Sequence, residues 1–217
     1  PHLTLWGQTW RSVLQLAGLF PLITPTRSKH PLVIFRAFSW LNPFMIRRPF
    51  NFKQWIDEHR HLLKPPVGNQ CVYDDDDFIA MVVGGPNSRK DYHWDEGEEL
   101  FYQLEGDIKV QIQENGKPVE VPIREGEMFL LPPRIPHNPI REANTVGLVI
   151  ERKRRPGEKD GLMWFCEKCN EKLYEEYFQL TDITTQFQGV FRKFYGSAEL
   201  RTCNNCGTEM QPPAVVS

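Results

Sequence analysis

The 217-residue sequence predicts a mainly β protein, an antiparallel sandwich or barrel. Short apolar segments recur along the chain, and turn residues such as the Gly-Gly-Pro-Asn at 84–87 separate them. The segment IKVQIQ at 108–113 alternates apolar and polar residues with period two, and Asn115-Gly116 is a strong hairpin signal before VEVPI at 119–123. This spacing is typical of antiparallel strands rather than of βαβ units.

Composition and charge narrow the possible partners. The chain is 40% hydrophobic and 25% charged, as ordinary soluble globular proteins are. Its formal net charge of −2 argues against a nucleic-acid surface, which would show a basic excess. Residues 1–50 hold six of the 26 basic residues and no Asp or Glu, so the remainder carries 20 basic and 28 acidic residues. A cationic cleft in this acidic remainder would have to be local.

Residues 1–49 are predicted to be an extension or leader that is not part of the fold. They follow no regular period, and SVLQLAGLFPLI at 12–23 is too short and too interrupted to span a membrane. Met45 is the first methionine and precedes the point where the composition becomes ordinary, which favours a non-native extension before it. An organelle or export signal and a structured N-terminal element are the alternatives.

The elements of the next region, 50–155, follow in order. NFKQWIDEHRHLL at 51–63 predicts an amphipathic helix that is capped by Asn51 and stopped by Pro65 and Pro66. Strands are then expected within the segments 78–87, 99–106, 108–113, 119–123, 128–132 and 145–151.

The pattern changes after Glu151. RKRRPGEKD at 152–160 is predicted to be a charged, solvated linker, and 156–217 a separate C-terminal region. TDITTQFQGVFRKFYG predicts a helix there, with one apolar face formed by Ile183, Phe187, Val190, Phe191 and Phe194.

Four of the five cysteines form two CxxC pairs that are separated by 33 residues: Cys166, Cys169, Cys203 and Cys206. Two such pairs predict a structural tetrathiolate metal site; two disulfides or free thiols are the alternative. Iron and zinc both accept four thiolates in a tetrahedron, so the sequence leaves the metal as Fe or Zn. Cys71 is predicted to be a buried, small apolar residue.

A second candidate metal site comprises His93, Glu99 and His137. If ELFYQLEG is a strand, Glu99, Phe101 and Gln103 share one face, so Glu99 can face a barrel interior beside His93 in the preceding turn. His137 arrives on a loop that is fixed by prolines. Two imidazoles and one carboxylate are the ligand set of non-haem Fe(II) and leave three adjacent positions open. Open positions distinguish a reaction centre from a structural site.

This pattern resembles the cupin signature, G-x5-H-x-H-x3,4-E-x6-G followed by G-x5-P-x-G-x2-H. The matching residues are His93, Glu99, Gly106, Gly126, Pro132 and His137. Asp95 stands in place of the second histidine, and Arg134 in place of a glycine. The resemblance implies a jelly-roll β-barrel with a metal inside, and Asp95 converts a three-histidine site into a two-histidine, one-carboxylate site.

Four longer segments narrow the resemblance: VGGPN-x-RKDYH, EE-x-FYQLEGD, EGEMFLLPPRIPH-x-P-x-R and ANTVGLVIER. Together they resemble the 3-hydroxyanthranilate 3,4-dioxygenase family, from about Phe50 to the C-terminus. The resemblance implies a cupin catalytic domain at 50–155 with Fe(II) on His93, Glu99 and His137. It also implies a C-terminal rubredoxin-like metal site on the four cysteines, a cytoplasmic location and a homodimer.

The resemblance implies four substrate-binding residues as well: Arg89, Arg141, Glu151 and the metal ligand Glu99. Arg89 and Arg141 would hold the substrate carboxylate, which suits the planar fork of arginine, and Glu151 would bond the polar groups of the substrate. Glu151 is thereby able to accept the proton of the ring hydroxyl. Asp91 either orients an arginine or is merely solvated.

The implied reaction is ring cleavage of the aromatic acid 3-hydroxyanthranilate by O2. The product, 2-amino-3-carboxymuconate semialdehyde, cyclises without an enzyme to quinolinate, a precursor in the kynurenine pathway of NAD synthesis. One alternative is a non-catalytic cupin that senses or binds a small aromatic acid. A thiol dioxygenase is disfavoured, because such cupins keep a histidine where this chain has Asp95.

Overall fold

This computed structural model describes residues 47–65, 68–74, 77–181 and 183–213, without the side chains of residues 183–185. The chain divides into two compact units, Pro1–Pro49 and Phe50–Ser217. Only residues 47–49 of the first unit are described, so the prediction of an extension or leader at 1–49 lies outside the described residues.

The second unit is mainly β. In order, its described elements are α1 (Phe52–His59), a 3₁₀ turn (Arg60–Leu62), β1 (Asn69–Tyr73), β2 (Phe78–Gly84), β3 (Tyr92–Asp95), β4 (Glu99–Glu105), β5 (Ile108–Glu114), β6 (Lys117–Ile123), β7 (Met128–Leu131), β8 (His137–Arg141), β9 (Val146–Arg152), β10 (Asp160–Phe165), β11 (Lys172–Phe178), α2 (Ile183–Tyr195) and α3 (Ala198–Arg201). Among these residues, none of the helices combines the length and the apolarity that a membrane span requires.

Helix α1 forms as the sequence predicts. Asn51 caps it, because the side-chain oxygen accepts a hydrogen bond of 2.9 Å from the backbone N–H of Gln54. The apolar side of the helix buries Ile56 in a cluster with Leu63, Val82 and Val146. The helix thus covers one end of the sheet that contains β2 and β9.

The strands form two antiparallel sheets, ordered β1-β2-β9-β4-β7 and β11-β10-β3-β8-β5-β6. Their inner faces enclose a core of Phe101, Ile108, Val110, Ile123, Leu131 and Val149. The predicted hairpin is confirmed, since Asn115 and Gly116 join β5 to β6 with φ angles of 51° and 74°. This two-sheet architecture is that of a jelly-roll barrel, as predicted.

Positive φ angles explain two residues of the cupin signature. Gly106 and Gly126 adopt φ angles of 65° and 85°, which glycine tolerates without strain. Arg134 stands where the signature has its last glycine, and it keeps the left-handed conformation at φ 65°. The backbone geometry of this loop is therefore retained although the residue differs.

The C-terminal region is part of the second sheet. β10 pairs with β3 as well as with β11, and neither strand was predicted from the sequence. Helix α2 is confirmed as an amphipathic helix: Phe187, Val190, Phe191 and Phe194 are buried against Trp164 and Leu162 of β10, while the side chain of Ile183 lies outside the described residues. The Trp164 and Phe194 rings stack with centroids 4.3 Å apart.

Candidate active site

The two predicted histidine ligands lie on neighbouring strands. His93 is on β3 and His137 begins β8, and their Cα atoms are paired in register. The predictions of a turn around His93 and of a loop at His137 are therefore wrong. Both strands are short, and each depends on partners that are distant in sequence, which local patterns do not reveal. Both side chains are largely buried, with the residues 9% and 3% exposed.

Glu99, at the start of β4, faces His137. Glu99 Oε2 lies 2.8 Å from His137 Nε2, yet no described residue donates a hydrogen bond of acceptable geometry to this oxygen. His137 Nδ1 lies 3.0 Å from the carbonyl oxygen of Ile135 and can donate its proton there. That tautomer leaves a lone pair on Nε2 directed towards an ionised carboxylate, an arrangement that requires a cation or a proton between them.

The donor set suits a divalent metal. His93, Glu99 and His137 each offer one ligand atom, and these atoms lie within 4.8 Å of one another. Burial raises the pKa of Glu99, but the two histidines outweigh that effect and hold this pKa below its ordinary value. Burial lowers the pKa of His137, but the nearby Glu99 carboxylate outweighs burial. The pKa of His137 is therefore above its ordinary value. The site thus favours an ionised carboxylate beside positive charge.

Two further carboxylates lie beside Glu99. Glu151 on β9 is its Cα partner in the β4–β9 pairing, and the carboxylates of Asp95, Glu99 and Glu151 lie within 4.8 Å of one another. Burial raises the pKa of Glu151; Arg154 opposes this effect and Glu99 adds to it. Glu151 is 6% exposed, so the predicted substrate-binding carboxylate lies inside the barrel beside the ligands.

Arg154 is a site residue that the sequence analysis missed. Its guanidinium lies 2.9 Å from Glu151, 2.6 Å from Asp160 and 3.2 Å from Asp95, and its side chain is 11% exposed. The prediction that 152–160 is a solvated linker is therefore wrong for Arg154 and Asp160. The run RKRR resembles a surface segment, and the docking of β10 on β3 encloses the Arg154 side chain within it. No local sequence signal distinguishes Arg154 from its neighbours.

Arg141 ends β8 and is almost completely buried, at 3% exposure. It forms no ion pair with the described residues, and its hydrogen bond to Gln103 Oε1 is long, at 3.4 Å. Burial lowers the pKa of Arg141 to about 10. Gly147 leaves room for the guanidinium, since a Cβ atom there would lie 2.8 Å from Arg141 Nη1. A buried cation without a carboxylate partner is suited to bind an anionic group.

Arg89, the second predicted substrate residue, is held by its neighbours. Asp91 accepts hydrogen bonds from Nη2 at 2.5 Å and from Nε at 3.1 Å, so Asp91 orients an arginine rather than being solvated. The guanidinium also lies 5.9 Å and 5.8 Å from the ring centroids of Phe187 and Phe191 on α2. Helix α2 thereby reaches the site, where Phe187 is also 5.5 Å from the His93 ring.

The four predicted metal-binding cysteines come together in the C-terminal region. The Sγ atoms of Cys166 and Cys206 are 3.6 Å apart, and Cys169 lies 3.5 Å from both Cys203 and Cys206. These distances are too long for disulfides and close to the edge of a tetrahedron with metal–sulfur bonds of about 2.3 Å. No disulfide joins these four described cysteines.

Two matching turns build this cysteine site. The N–H of Asn170 bonds to the carbonyl oxygen of Cys166, and the N–H of Gly207 bonds to that of Cys203. Asn170 and Gly207 adopt the positive φ angles, 57° and 70°, that such turns need. The hydroxyl and backbone N–H of Thr208 lower the pKa of Cys206 to about 6. Thiolate is the form that binds metals.

The prediction that the fifth cysteine is buried is wrong. Cys71 is exposed rather than buried. It lies on β1, at the edge of the first sheet, and its thiol donates a hydrogen bond of 3.3 Å to the carbonyl oxygen of Tyr73.

A barrel of two antiparallel sheets with two histidines and a glutamate grouped inside defines a cupin with a candidate metal centre. The family model of 3-hydroxyanthranilic acid dioxygenase matches residues 45–195, and the chain belongs to this family.

Two of the similar sequences agree with this assignment. A protein of Xanthomonas euvesicatoria named 3-hydroxyanthranilate 3,4-dioxygenase is 58% identical over 163 residues, covering 75% of this chain and 92% of that protein. One of Bacillus cereus with the same name is 48% identical over 159 residues, covering 73% and 89%. Among solved structures, a cupin-2 domain containing protein from Shewanella frigidimarina is 16% identical with a TM-score of 0.39, covering 48% of this chain and 94% of that one.

Proposed function

We propose that this chain is a 3-hydroxyanthranilate 3,4-dioxygenase that depends on Fe(II). The observation that carries the proposal is the contact between Glu99 Oε2 and His137 Nε2, two ligand atoms 2.8 Å apart without a hydrogen bond of acceptable geometry, beside His93. Two imidazoles and one carboxylate form the facial triad of non-haem iron oxygenases. The identity of the relatives supports the same activity.

The substrate would be oriented through its carboxylate. Arg141 is buried and has no ion pair among the described residues, so its planar fork remains for a carboxylate. Arg89 adds a second positive charge, although Asp91 already takes two of its N–H groups. The main anchor is therefore Arg141, and Arg89 assists it.

Glu151 would accept the proton of the ring hydroxyl. Its carboxylate is buried next to Glu99, and the adjacent Arg154 keeps it in a fixed position. Fe(II), when bound by the triad, would hold the ortho amino and hydroxyl groups and activate O2. Loss of the hydroxyl proton to Glu151 makes the ring more electron-rich at the carbon that is attacked.

The proposed product is 2-amino-3-carboxymuconate semialdehyde. Both oxygen atoms of O2 enter it as the ring opens beside the hydroxyl-bearing carbon, and it closes without an enzyme to quinolinate. Such a product would serve NAD synthesis or aromatic catabolism. The interior of the barrel, lined by Phe101 and Val149, limits access of water to the reacting groups.

We further propose that the enzyme is a cytoplasmic homodimer. The outer face of the five-stranded sheet carries apolar residues on β4, β7 and β9, namely Leu100, Tyr102, Met128, Leu130, Leu148 and Ile150. Met128 and Leu130 are 62% and 54% exposed. A continuous apolar face of this kind suits an interface between two copies of one chain. Two CxxC pairs grouped as a candidate metal site, rather than as disulfides, agree with a reducing compartment.

Turnover by the full chain tests the proposed activity. Oxygen uptake and the absorbance of the ring-opened product are measured after addition of Fe(II) and 3-hydroxyanthranilate. The unmodified chain should consume one O2 per substrate, and Glu99→Ala should lose the activity together with the iron. Absence of product from an unmodified chain that is fully loaded with iron would reject the enzyme and favour a binding protein.

A further inference from the structure

Arg154 contacts carboxylates on three different strands or loops. Its Nε lies 3.1 Å and 3.0 Å from the two carboxylate oxygens of Asp160, and Nη2 lies 2.6 Å from Oδ1. Nη1 lies 2.9 Å from Glu151, and Nη2 lies 3.2 Å from Asp95. A guanidinium can make these contacts together because its donors form a planar fork, whereas an ammonium group cannot. Arg154 therefore fixes the positions of all three acids.

Asp160 joins this group to a metal ligand. It is completely buried at the start of β10, the strand that pairs with the His93 strand. Its Oδ1 lies 2.8 Å from His93 Nε2. An ionised carboxylate facing one ring nitrogen holds the proton there, which leaves the other nitrogen unprotonated and able to bind a metal. This contact places Asp160 where it can set both the orientation and the tautomer of His93.

The charges explain why an arginine occupies this position. Asp95, Glu99, Glu151 and Asp160 would place four negative charges in one buried region, where like charges repel strongly. The Arg154 guanidinium lies among three of them, in the place that a second cation would otherwise take. Of these four acids, Glu99 forms no ion pair with Arg154 in the described part of the chain. The Glu99 carboxylate thus remains for the metal triad.

We propose that Asp160 and Arg154 are positioning residues of the active site: Asp160 sets His93 for metal binding, and Arg154 holds Asp160 and Glu151 in one fixed arrangement. The part that concerns metal binding stands on the geometry alone. The part that concerns Glu151 rests on the proposed function. Two structural elements, the 152–160 segment and β10, therefore belong to the catalytic machinery.

The first experiment measures the Fe(II) dissociation constant of the full chain by competition with a coloured chelator, without substrate. Asp160→Asn should weaken Fe(II) binding by about 10- to 100-fold, the usual effect of losing a partner of a metal-bound histidine. The matched control is Glu105→Gln, which removes the charge of a carboxylate that Arg60 holds at 2.7 Å, away from the site. The control should bind Fe(II) as the unmodified chain does.

The second experiment reads the His93 ring directly. In the metal-free chain, ¹⁵N spectra of the imidazole should place the proton on Nε2, and Asp160→Asn should give a mixture of tautomers. A purely structural role of Asp160 would leave the tautomer unchanged in a folded variant.

The third experiment uses Arg154→Lys, which keeps the charge but not the fork. With Fe(II) saturating, kcat should fall by about 10- to 100-fold because Glu151 is misplaced. KM should change little, since Arg141 is untouched. Arg60→Lys is the matched control and should leave both constants unaltered.

These measurements separate the inference from the proposed function. Fe(II) affinity equal to that of the unmodified chain in folded Asp160→Asn overturns the inference. If Asp160→Asn does not fold, Arg154→Lys decides, and unchanged Fe(II) affinity together with unchanged kcat overturns it. An inactive unmodified chain whose Fe(II) affinity still depends on Asp160 rejects the proposed activity and retains the role of Asp160 in metal binding.

Discussion

His93 and His137 lie directly opposite each other on β3 and β8, with ring centroids 5.4 Å apart. A single strand pairing therefore brings together two ligands that are 44 positions apart in the sequence. Glu99 reaches the same place from the other sheet, through its position at the start of β4. The candidate metal centre thus bridges the two sheets, and its geometry depends on how they pack against each other.

The space at Gly147 leads to a prediction about substrate binding. In Gly147→Ala the added Cβ would lie 2.8 Å from both Arg141 Nη1 and Gln103 Oε1, so the guanidinium has to move. We expect KM for 3-hydroxyanthranilate to rise by about 10- to 100-fold, while stability changes little because only the flexible ends of side chains shift.

Gly189→Ala is the control for this change. A Cβ at Gly189 meets nothing within 4 Å, and alanine favours the helix by roughly 0.5–1 kcal/mol. KM should be unaltered there. Equal KM values in the two variants would contradict the assignment of Arg141 to the substrate carboxylate.

The cysteine site leads to a prediction about stability. Cys203→Ser removes one of four thiolates from a group that anchors the segment after α2. We expect a loss of several kcal/mol in the free energy of unfolding and the loss of one bound metal per chain, measured by thermal unfolding and elemental analysis.

Turnover distinguishes a structural from a catalytic role of this site. Folded Cys203→Ser with iron on the first site should keep a kcat close to that of the unmodified chain, because none of the cysteines belongs to the His93–Glu99–His137 group. A folded, iron-loaded variant without turnover would show that the cysteine site takes part in the reaction.

Much of the fold could be predicted because its signals are local. The Asn51 cap, the Asn115-Gly116 turn and the alternation in β4 each lie within a few residues of the element that they define. β1, β3, β8, β10 and β11 were not predicted. β3 has only four residues, and its pairing with β10 joins positions such as His93 and Leu162 that are far apart in the sequence.

The difference between local and long-range signals also explains which site residues could be predicted. The metal-ligand residues follow a spacing that can be counted in the sequence, and the structure brings His93, Glu99 and His137 together. Arg154 and Asp160 have no such spacing, and their charged surroundings resemble a surface linker. Asp160 is buried, and the Arg154 side chain is largely enclosed, only because β10 docks beside β3. This is a tertiary effect that local composition does not express.

The ion pair between Arg152 and Glu158 leads to a prediction about pH. The Arg152 side chain lies 2.6 Å from Glu158 and lowers the pKa of this carboxyl to about 2 from an ordinary 4.5. Because the folded state lowers this pKa, the ionised Glu158 carboxylate stabilises the folded chain. The contribution is complete above about pH 4.5 and disappears as the pH falls towards about 2.

Glu158→Gln tests this expectation. Between pH 5 and 8 it should lower the free energy of unfolding by about 0.5–1 kcal/mol, the range for a partly exposed pair, and the difference from the unmodified chain should shrink below about pH 4.5. Denaturant unfolding at several pH values measures the difference. Glu120→Gln, in the more exposed pair with Lys109, is the control and should show a smaller effect. A difference that grew as the pH fell would contradict the sign.

The outer face of the five-stranded sheet leads to a prediction about assembly. Leu130 is 54% exposed on the edge strand β7, next to Leu100 on β4, so a charge there would lie within the proposed apolar interface. Leu130→Asp should therefore shift the chain from dimer to monomer, as measured by light scattering during gel filtration. Tyr177→Asp, at an exposed position on β11 of the other sheet, is the control and should leave the dimer intact. If the unmodified chain has the mass of a monomer, the proposal of a homodimer is wrong. If only Tyr177→Asp dissociates the dimer, the interface lies on the second sheet.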